Sequence, residues 1–355
     1  MDFAVRFRPW SSRVSALTQR NILIDEAVEQ QTLAPAQPLH LKKTIELPNQ
    51  AEKICGFTSA SNRQQQESNL YGTIIENGPT KLYRYKDVLL TPSGFYSSRR
   101  FVRRPGARRE LLPYTDHIEE IEDGLYISSR HIEKYFGHWI HDASPQEQLA
   151  KNIGLRPVMA DLSKWTHVAE YRDLADLSQP LLTKAVFFRS IWIADDRHLN
   201  SHRVSRLHQL RDKVVSGLPA TKARQGVFIR RRMAGSRELR NEAEIIETLR
   251  QKNFSVLDPT QSTAREIAAI LSNSKIAIAI EGSAVCHTLL SLREGAGLIV
   301  IQPADHFNAL GRIYANAMGH HYGYTVADRV EGGYVQNTGD LMRTIDLVET
   351  AMAAS

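Results

Sequence analysis

The residues from Gln225 to Pro303 constrain the fold of this chain more than any other segment. Short apolar runs alternate there with amphipathic stretches of helical spacing, in the order VFI, EAEIIETLRQKN, FSVL, AREIAAILSNS, IAIAI, AVCHTLLSLREG and LIVI. Strands that alternate regularly with helices indicate a parallel sheet with crossover helices. We therefore predict an α/β fold, with a ligand site at the carboxyl ends of its strands.

Length and composition are those of a globular protein. The chain has 355 residues, of which 42% are hydrophobic and 24% are charged. About 150 residues per domain makes two domains the expected number. Two cysteines, Cys55 and Cys286, are too few for a disulfide framework, and they indicate a reducing compartment. No apolar run reaches the length of about 18 residues that a membrane span requires.

The charge is basic, with a formal net charge of +6. Such a balance suits nucleic acid, a membrane surface or an anionic substrate. A basic stripe lies at Arg99–Arg109, but no zinc finger, RNA-recognition signature or basic zipper accompanies it, which argues against nucleic acid. The first twenty residues mix arginines with aromatic residues and lack the apolar core of a signal peptide. They fit an ordinary first strand, a packed arm or a segment that lies on an anionic membrane.

The pattern along the chain predicts three regions. An N-terminal α/β domain covers residues 1–220, and it contains a hairpin around Pro92-Ser93-Gly94 and a short strand after Asp123-Gly124. A nucleotide-binding, Rossmann-like domain covers residues 221–335, and a C-terminal helix covers 336–355. In the second region, Asn241 with Glu244 and Thr263 with Glu266 both fit helix capping boxes.

An arginine cluster follows the strand VFI. Arg230, Arg231 and Arg232 come directly after it, and Arg237 follows. Strand alternation places Arg230 and Arg232 on one side and Arg231 on the other. The planar guanidinium binds phosphate through paired hydrogen bonds and stays charged, so the cluster predicts an anion site. A solvated basic loop is the alternative.

A small-residue turn, Glu281-Gly282-Ser283, follows the strand IAIAI and precedes a predicted helix near Ala284. Glycine permits close approach of a ligand, and a helix N-terminus favours negative charge. A tight turn without a ligand is the alternative. Because this turn and the arginine cluster both follow strands of the sheet, together they predict a diphosphate site.

A third group of polar residues is the segment FGHWIHDAS. On a helix, His138, His141 and Asp142 share one face. Such a group can serve as a general base for a hydroxyl, can bind a metal through two histidines and a carboxylate, or can be structural. The sequence shows neither a fourth ligand nor an HExxH pattern, so we expect no metal.

Taken in order, these segments resemble glycosyltransferase family 61, the group often labelled capsular polysaccharide biosynthesis. FGHWIHDASP resembles the family's histidine-tryptophan segment, and RRRMAGSRELRNEAEI resembles its arginine and Asn-Glu segment. IAIAIEGSAVCHTLL resembles its strand, turn and helix, and KDVLLTPSGFYSSRRF resembles its N-terminal β-region. The resemblance covers roughly residues 80–320.

The resemblance implies a GT-B fold, with two Rossmann-like domains facing a cleft and extra hairpin structure in the N-terminal part. It implies an inverting, metal-independent transferase that moves a sugar from a nucleotide sugar to a glycan or glycolipid acceptor. Neither a metal nor another cofactor is expected. The setting would be synthesis of capsular polysaccharide or lipopolysaccharide in the cytoplasm, with peripheral contact at the inner face of the cell membrane as an option.

Carried residue by residue, the resemblance assigns donor binding to the arginine motif and the turn. Our own hypothesis adds His138 or Asp142 as the base that deprotonates the acceptor hydroxyl. The donor residues are Arg230, Arg232, Arg237, Asn241, Glu281, Gly282 and Ser283. Glu281 stands where the family has histidine. A carboxylate repels a diphosphate, so we expect Glu281 to meet a ribose hydroxyl or a cationic neighbour. A non-catalytic GT-B-like scaffold and a polyanion-binding protein are the alternative functions.

Overall fold

The computed structural model describes residues 3–9, 27–59, 61–97, 101–103, 117–182, 185–219, 223–231 and 237–354. The chain forms two compact units. The first unit comprises Met1–Gln37, Gly78–Arg172 and Asp176–Arg206, and the second comprises Pro38–Asn77, Asp173–Ala175 and Leu207–Ser355. The division into domains made from the sequence stays a prediction.

Strands and helices are numbered in chain order over the described residues. The strands are β1 (Glu29–Ala34), β2 (Leu39–His40), β3 (Ile74–Ile75), β4 (Thr80–Thr91), β5 (Gly94–Tyr96), β6 (Phe101–Arg103), β7 (Glu119–Tyr126), β8 (Pro157–Met159), β9 (Leu181–Leu182), β10 (Val186–Asp195), β11 (Arg224–Ile229), β12 (Phe254–Leu257), β13 (Ser274–Ile280), β14 (Gly297–Pro303), β15 (His321–Val330) and β16 (Gly333–Val335). The α-helices are α1 (Phe3–Arg6), α2 (Arg63–Tyr71), α3 (Arg130–Lys134), α4 (Phe136–His138), α5 (Ser144–Asn152), α6 (Thr166–Leu174), α7 (Ser201–Ser216), α8 (Glu242–Gln251), α9 (Ala264–Ser272), α10 (His287–Ser291), α11 (Leu310–Ala317) and α12 (Thr338–Ala353).

The first unit is built on a mixed sheet of order β6-β5-β4-β10-β7-β8-β9, with β1 paired to β4. The predicted hairpin is confirmed, since β4 and β5 pair antiparallel with Thr91 opposite Gly94. The strand predicted after Asp123-Gly124 instead begins at Glu119. The reason is parallel pairing with β10, which starts at Glu119 opposite Val186 and overrides the low strand propensity of that acidic stretch.

The second unit contains the predicted parallel sheet, in the order β12-β11-β13-β14-β15-β16. The first five strands are parallel and β16 is antiparallel. Side chains alternate between two buried faces: Ala277 and Ala279 belong to one core cluster, and Ile276, Ile278 and Ile280 to the other. Burial on both faces explains why the strands read as continuous apolar runs.

The strand order of this sheet indicates where a ligand site is expected. Counted from β11, the parallel strands run 2-1-3-4-5, the doubly wound order in which the chain reverses direction between the first and third strands. That switch point lies between β11 and β13. The arginine cluster follows β11 and the Gly282 turn follows β13, so both predicted donor segments flank it.

Residues Pro38–Asn77, here called the strap, belong to the second unit although they lie far from it in sequence. Arg312, which is 1% exposed, fastens the strap to α11. Its guanidinium donates to the main-chain carbonyls of Lys42 and Asn69, both at 2.7 Å, and of Gly72 at 3.0 Å. Hydrogen bonds from a cation to buried carbonyls are among the stronger ones.

One of the two predicted capping boxes is confirmed. The Thr263 side chain accepts from the Glu266 amide while the Glu266 carboxylate accepts from the Thr263 amide. Asn241 does not cap α8. Its amide group instead donates to the Gln336 carbonyl at 2.8 Å and accepts from the Gln336 amide at 3.2 Å. A tertiary contact therefore replaces the local one.

Among the described residues, no helix combines the length and the apolar character needed to cross a membrane.

Candidate active site

The segment with His138, His141 and Asp142 forms an irregular helical turn in the first unit. Helix α4 ends at His138 and continues as a π-helical turn over Trp139–Ala143, after which α5 begins. Pro145 lies at the start of α5 and has no amide hydrogen to donate to the preceding turn. Single π-turns of this kind are frequent at functional sites.

The turn brings the three predicted side chains together, as their spacing predicts. His138 Nδ1 lies 2.6 Å from Asp142 Oδ2, and His141 Nδ1 lies 3.0 Å from Asp142 Oδ1. The side chains of His138 and Asp142 are each 30% exposed, whereas His141 is buried. Asp142 therefore holds two imidazoles, and only His138 offers its ring to solvent to a substantial degree.

Sequence reasoning missed the residue that completes this group, Arg203. Its guanidinium is 1% exposed and donates to Asp142 Oδ1 at 2.8 Å, to the Asp196 carbonyl at 2.7 Å and to the His141 carbonyl. Arg206, one turn further along α7, pairs with the buried Asp196 through two hydrogen bonds of 2.6 and 2.9 Å. The sequence signal was two arginines at i, i+3 spacing beside apolar residues of one amphipathic helix.

A second buried ion pair, between Arg172 and Glu147, lies next to the π-turn. Trp139 is fully buried and its indole nitrogen donates to Glu147 at 2.8 Å. Arg172 binds the same carboxylate at 2.7 Å, and its guanidinium lies 5.7 Å from the Trp139 ring centroid. These buried partners anchor the Trp139 side chain at the start of the π-turn.

The charges of the group fix its protonation. Burial acts to raise the pKa of Asp142, but the neighbouring His141, the hydrogen bond with His138 and the charge of Arg203 outweigh it and hold this pKa well below its usual range. Burial lowers the pKa of His141 by more than the neighbouring Asp142 raises it. At neutral pH, Asp142 is therefore a carboxylate and His141 a neutral imidazole.

The same group is the one set of side chains, within the described ranges, that has metal-ligand character. One ligand atom from each of His138, His141 and Asp142 lies within 4.8 Å of the others. Both oxygens of Asp142 already accept hydrogen bonds, however, and one of them binds the Arg203 cation. A divalent ion at that carboxylate would meet a fixed positive charge, which disfavours it.

The second candidate region lies at the switch point of the parallel sheet. Arg231 reaches across from β11 to the turn after β13, where its Nη1 lies 3.3 Å from the Glu281 carbonyl oxygen. Gly282 has a φ of 143°, and a Cβ there would lie 1.8 Å from Arg231 Nη1. Only glycine allows this arginine to lie against the turn.

The Glu281 carboxylate lies next to a cation. The sequence predicted either this or a ribose hydroxyl as its neighbour. Its carboxylate pairs with Arg237 and accepts from Asn308 at 3.2 Å. The Glu281 side chain is 13% exposed and that of Arg237 is 19% exposed. Arg237 has a φ of 65°, a conformation uncommon outside glycine that often marks functional loops.

Not all predicted donor residues reach this turn. Arg230 binds Glu242 with distances of 2.5 and 2.9 Å, and Asn241 binds Gln336. Arg232 lies outside the described residues. Arg231 is the arginine that meets Gly282, and the sequence prediction assigned it to the opposite side from the donor set.

The structure also differs from the sequence prediction of a helix that begins near Ala284. Ser283–Cys286 forms a 3-10 turn, and the α-helix begins only at His287 and ends at Ser291. Leu292 is fully buried in extended conformation, so packing ends the helix early. A five-residue helix supplies little macrodipole, and the cations Arg231 and Arg237 are the principal positive charges at this turn.

These two cations lie in a partly buried environment that favours an anion. Burial, and after it the charge of Arg237, lower the pKa of Arg231. Burial and then Arg237 likewise lower the pKa of the neighbouring His306. Since both shifts reflect unfavourable positive charge, an anionic ligand at the turn would be stabilised.

Comparison with known proteins finds one family match. A family model, Glycosyltransferase 61, matches residues 136–299, a range that contains every site residue predicted from the sequence. No curated protein sequence matches the chain.

Solved structures show only distant likeness. The iron-containing heptosyltransferase TibC, solved with ADP-D-β-D-heptose, is 10% identical over 78% of this chain and 94% of its own, with a TM-score of 0.33. A flavo di-iron protein mutant from Thermotoga maritima is 10% identical over 65% of this chain and 55% of its own, with a TM-score of 0.27. Both scores are too low to define a fold. The match over residues 136–299 supports membership of glycosyltransferase family 61, and it indicates that the protein is a glycosyltransferase.

Proposed function

We propose that this enzyme transfers a sugar from a nucleotide sugar to a glycan hydroxyl with inversion, that it needs no metal ion, and that His138 is the general base. The observation that carries the proposal is the His138–Asp142 pair, with 2.6 Å between Nδ1 and Oδ2. With Nδ1 bound to the carboxylate, Nε2 is the nitrogen left to accept a proton. Within the described residues, Nε2 makes no hydrogen bond.

The environment favours His138 over Asp142 as the base. Both Asp142 oxygens accept hydrogen bonds, and its pKa lies well below the usual range, so Asp142 is a weak base. A carboxylate that holds the Nδ1 hydrogen fixes the tautomer and stabilises the imidazolium that forms. Asp142 is therefore proposed as the residue that orients His138.

In the proposed step, His138 Nε2 takes the proton of the acceptor hydroxyl as its oxygen attacks the anomeric carbon. The bond from that carbon to the donor phosphate oxygen breaks, and the nucleoside diphosphate leaves with the electron pair. One displacement from the opposite face inverts the configuration. Proton transfer by a positioned base typically contributes about 10²- to 10⁴-fold in rate.

Arg231 and Arg237 are proposed to stabilise the departing diphosphate. Both lie at the Gly282 turn, and Arg237 is held there by Glu281. Positive groups that are already in place where charge develops lower the barrier without reorganisation. Gly282 and Ser283 complete the site through their main chain. Arg230, Arg232 and Asn241 stay predictions, with Arg230 and Asn241 engaged by protein partners in this structure.

The family resemblance extends the proposal to the GT-B arrangement and to capsular polysaccharide or lipopolysaccharide synthesis, with a glycan or glycolipid acceptor. Metal independence is supported by the positive charge of both regions: Arg203 at the His138 group, and Arg231 with Arg237 at the turn. Peripheral contact with the inner face of the membrane is part of the same proposal.

The test combines donor binding with transfer. Thermal shift with UDP, GDP, CMP and ADP and their sugar conjugates, with and without EDTA, identifies the donor, because a ligand of the folded state raises its stability. We expect His138→Ala to lower transfer by about 10²- to 10⁴-fold and to leave donor affinity within twofold. His40→Ala, at an exposed histidine of the strap, is the matched control.

Each component can fail separately. Loss of donor binding in His138→Ala would show that His138 is not the base. Loss of transfer in EDTA, restored by one divalent ion, would overturn metal independence and favour metal binding by His138, His141 and Asp142. Donor binding by the wild-type protein without turnover toward any acceptor would favour the scaffold function instead.

A further inference from the structure

Two further rings, those of His131 and Tyr135, lie next to the proposed base, His138. The ring centroid of His131 lies 5.0 Å from that of His138, and the ring centroid of Tyr135 lies 5.9 Å from it. His131 and Tyr135 are themselves nearly parallel, with 19° between the ring planes and 6.5 Å between centroids. Tyr135 is 42% exposed and His131 is exposed. The exposed part of His138 is therefore bordered by solvent-facing rings.

The local sequence holds these rings in place. Ser129 caps α3 by accepting from the Ile132 amide at 3.2 Å, and the Tyr135 amide donates to the His131 carbonyl at 2.9 Å. Ile132, which is 4% exposed, anchors the helix in the core. Tyr135 itself is extended and separates α3 from α4, and the ring distances show that the three rings lie close together across this break. Packing uses Ile132, so it does not explain why a large aromatic ring at position 135 faces water.

We infer that Tyr135 and His131 form the binding platform for a pyranose ring of the acceptor, next to His138. This inference rests on the proposed function of His138. One face of a pyranose presents axial C–H groups, whose partial positive charge and apolar character match the negative face of an aromatic ring. Binding sites for small ligands are generally lined by such rings, with a few polar groups for orientation. A sugar stacked on Tyr135 would place a ring hydroxyl near His138 Nε2.

Sugar binding would also explain why the ring of Tyr135 is exposed to solvent. Lys134 Nζ lies 5.1 Å from the Tyr135 centroid, so a surface cation–π contact is the competing explanation. That contact would persist with any ring and would not involve sugars. A direct measurement of sugar binding therefore separates the two explanations.

The experiment uses the full-length protein and methyl β-D-glycopyranosides of glucose, galactose, mannose and N-acetylglucosamine. Saturation-transfer difference NMR reports which sugar protons contact the protein, and it does not require turnover. We compare wild type with Tyr135→Phe, which keeps the ring, and Tyr135→Leu, which keeps apolar volume without a π face. Tyr71→Leu, at a tyrosine with 47% exposure in the second unit, is the matched control.

We expect transfer to the axial C–H protons of at least one glycoside with wild type, Tyr135→Phe and Tyr71→Leu. Tyr135→Leu should weaken binding, and raise the acceptor KM, by about three- to tenfold at unchanged donor affinity. Equal signals for Tyr135→Leu and wild type would overturn the platform, as would no signal with wild type for any glycoside. Glycoside binding that depends on Tyr135, in a protein that binds no nucleotide sugar, would refute the proposed function and leave the sugar platform.

Discussion

Replacing Arg203 by methionine should separate positioning of the base from binding of the donor. The variant keeps most of the side-chain volume but removes the guanidinium, which binds Asp142, the His141 carbonyl and the Asp196 carbonyl. Asp142 would keep its bonds to His138 and His141. The π-turn would lose both of its hydrogen bonds from the Arg203 guanidinium, at Asp142 and at the His141 carbonyl.

The stability cost follows from burial. Arg203 is 1% exposed, and its carboxylate partner has a 30% exposed side chain. Breaking a buried ion pair by removing one partner costs about 3–5 kcal/mol. Solvent reaches Asp142, so we expect the lower end, about 3 kcal/mol, in the free energy of unfolding. Arg197→Met is the control: Arg197 is 76% exposed, pairs with Asp195, and should cost below about 0.5 kcal/mol.

The catalytic cost follows from geometry. A misplacement of about 1 Å can lower a rate by about 100-fold, so kcat should fall by about 10- to 100-fold. The donor Kd should stay within twofold. Without the cation, the pKa of Asp142 should rise toward its usual range, since Arg203 is one of the groups that lower it. A depressed carboxylate pKa adds stability above its unfolded value that is lost as pH falls, so this acid-dependent loss should be smaller in the variant.

Urea unfolding at several pH values and initial-rate kinetics at saturating donor measure these quantities. Arg203→Lys, which keeps a charge but cannot reach three acceptors, should fall between wild type and Arg203→Met. A folded Arg203→Met enzyme would refute a positioning role for Arg203 if it kept the wild-type kcat and lost as much unfolding free energy at acid pH as the wild type does. The lysine variant preserves the test if the methionine variant does not fold.

Two further predictions concern the second unit. Burial lowers the pKa of His320 to about 3, so between pH 6.5 and 3 the unfolded chain binds a proton that the folded chain does not. The free energy of unfolding should therefore decrease by up to about 1.4 kcal/mol for each unit by which the pH falls through that range. His320→Asn should lack this component in urea unfolding across that range, and an identical pH dependence would contradict it. Gly282→Ala should displace Arg231 and weaken donor affinity by about 10-fold or more in calorimetry. Gly295→Ala, at another positive φ with nothing within 4 Å, should leave donor affinity unchanged.

Periodicity predicted the parallel sheet because its strands are buried on both faces and its helices carry one apolar stripe. It also placed the Arg230–Arg237 segment and the Gly282 turn at strand ends, and strand order then made those ends neighbours. The identity of the arginine at the turn was harder to predict. Strand alternation says only that Arg230 and Arg231 point to opposite sides, whereas Glu242 decides which of them is engaged elsewhere.

The His138 group shows the same limit. Helical spacing predicted that His138, His141 and Asp142 meet, because those contacts span three or four residues. Arg203 lies 61 residues from Asp142 in sequence, and no local pattern reports such a pairing. Asn241 fits a capping box by sequence, yet its contact with Gln336, 95 residues away, takes its place.

The strap has a consequence for how the protein is made. Arg312 binds the carbonyl of Lys42 across 270 residues, so the second unit is completed by a segment that leaves the ribosome long before the sheet to which it belongs. Contacts of such separation form late and slow folding, because the chain entropy of closure is lost before the contact forms. During synthesis, residues 38–77 emerge before the residues that they contact. A fragment that begins at residue 207 lacks the strap altogether. The chain must therefore be nearly complete before its second unit can finish folding.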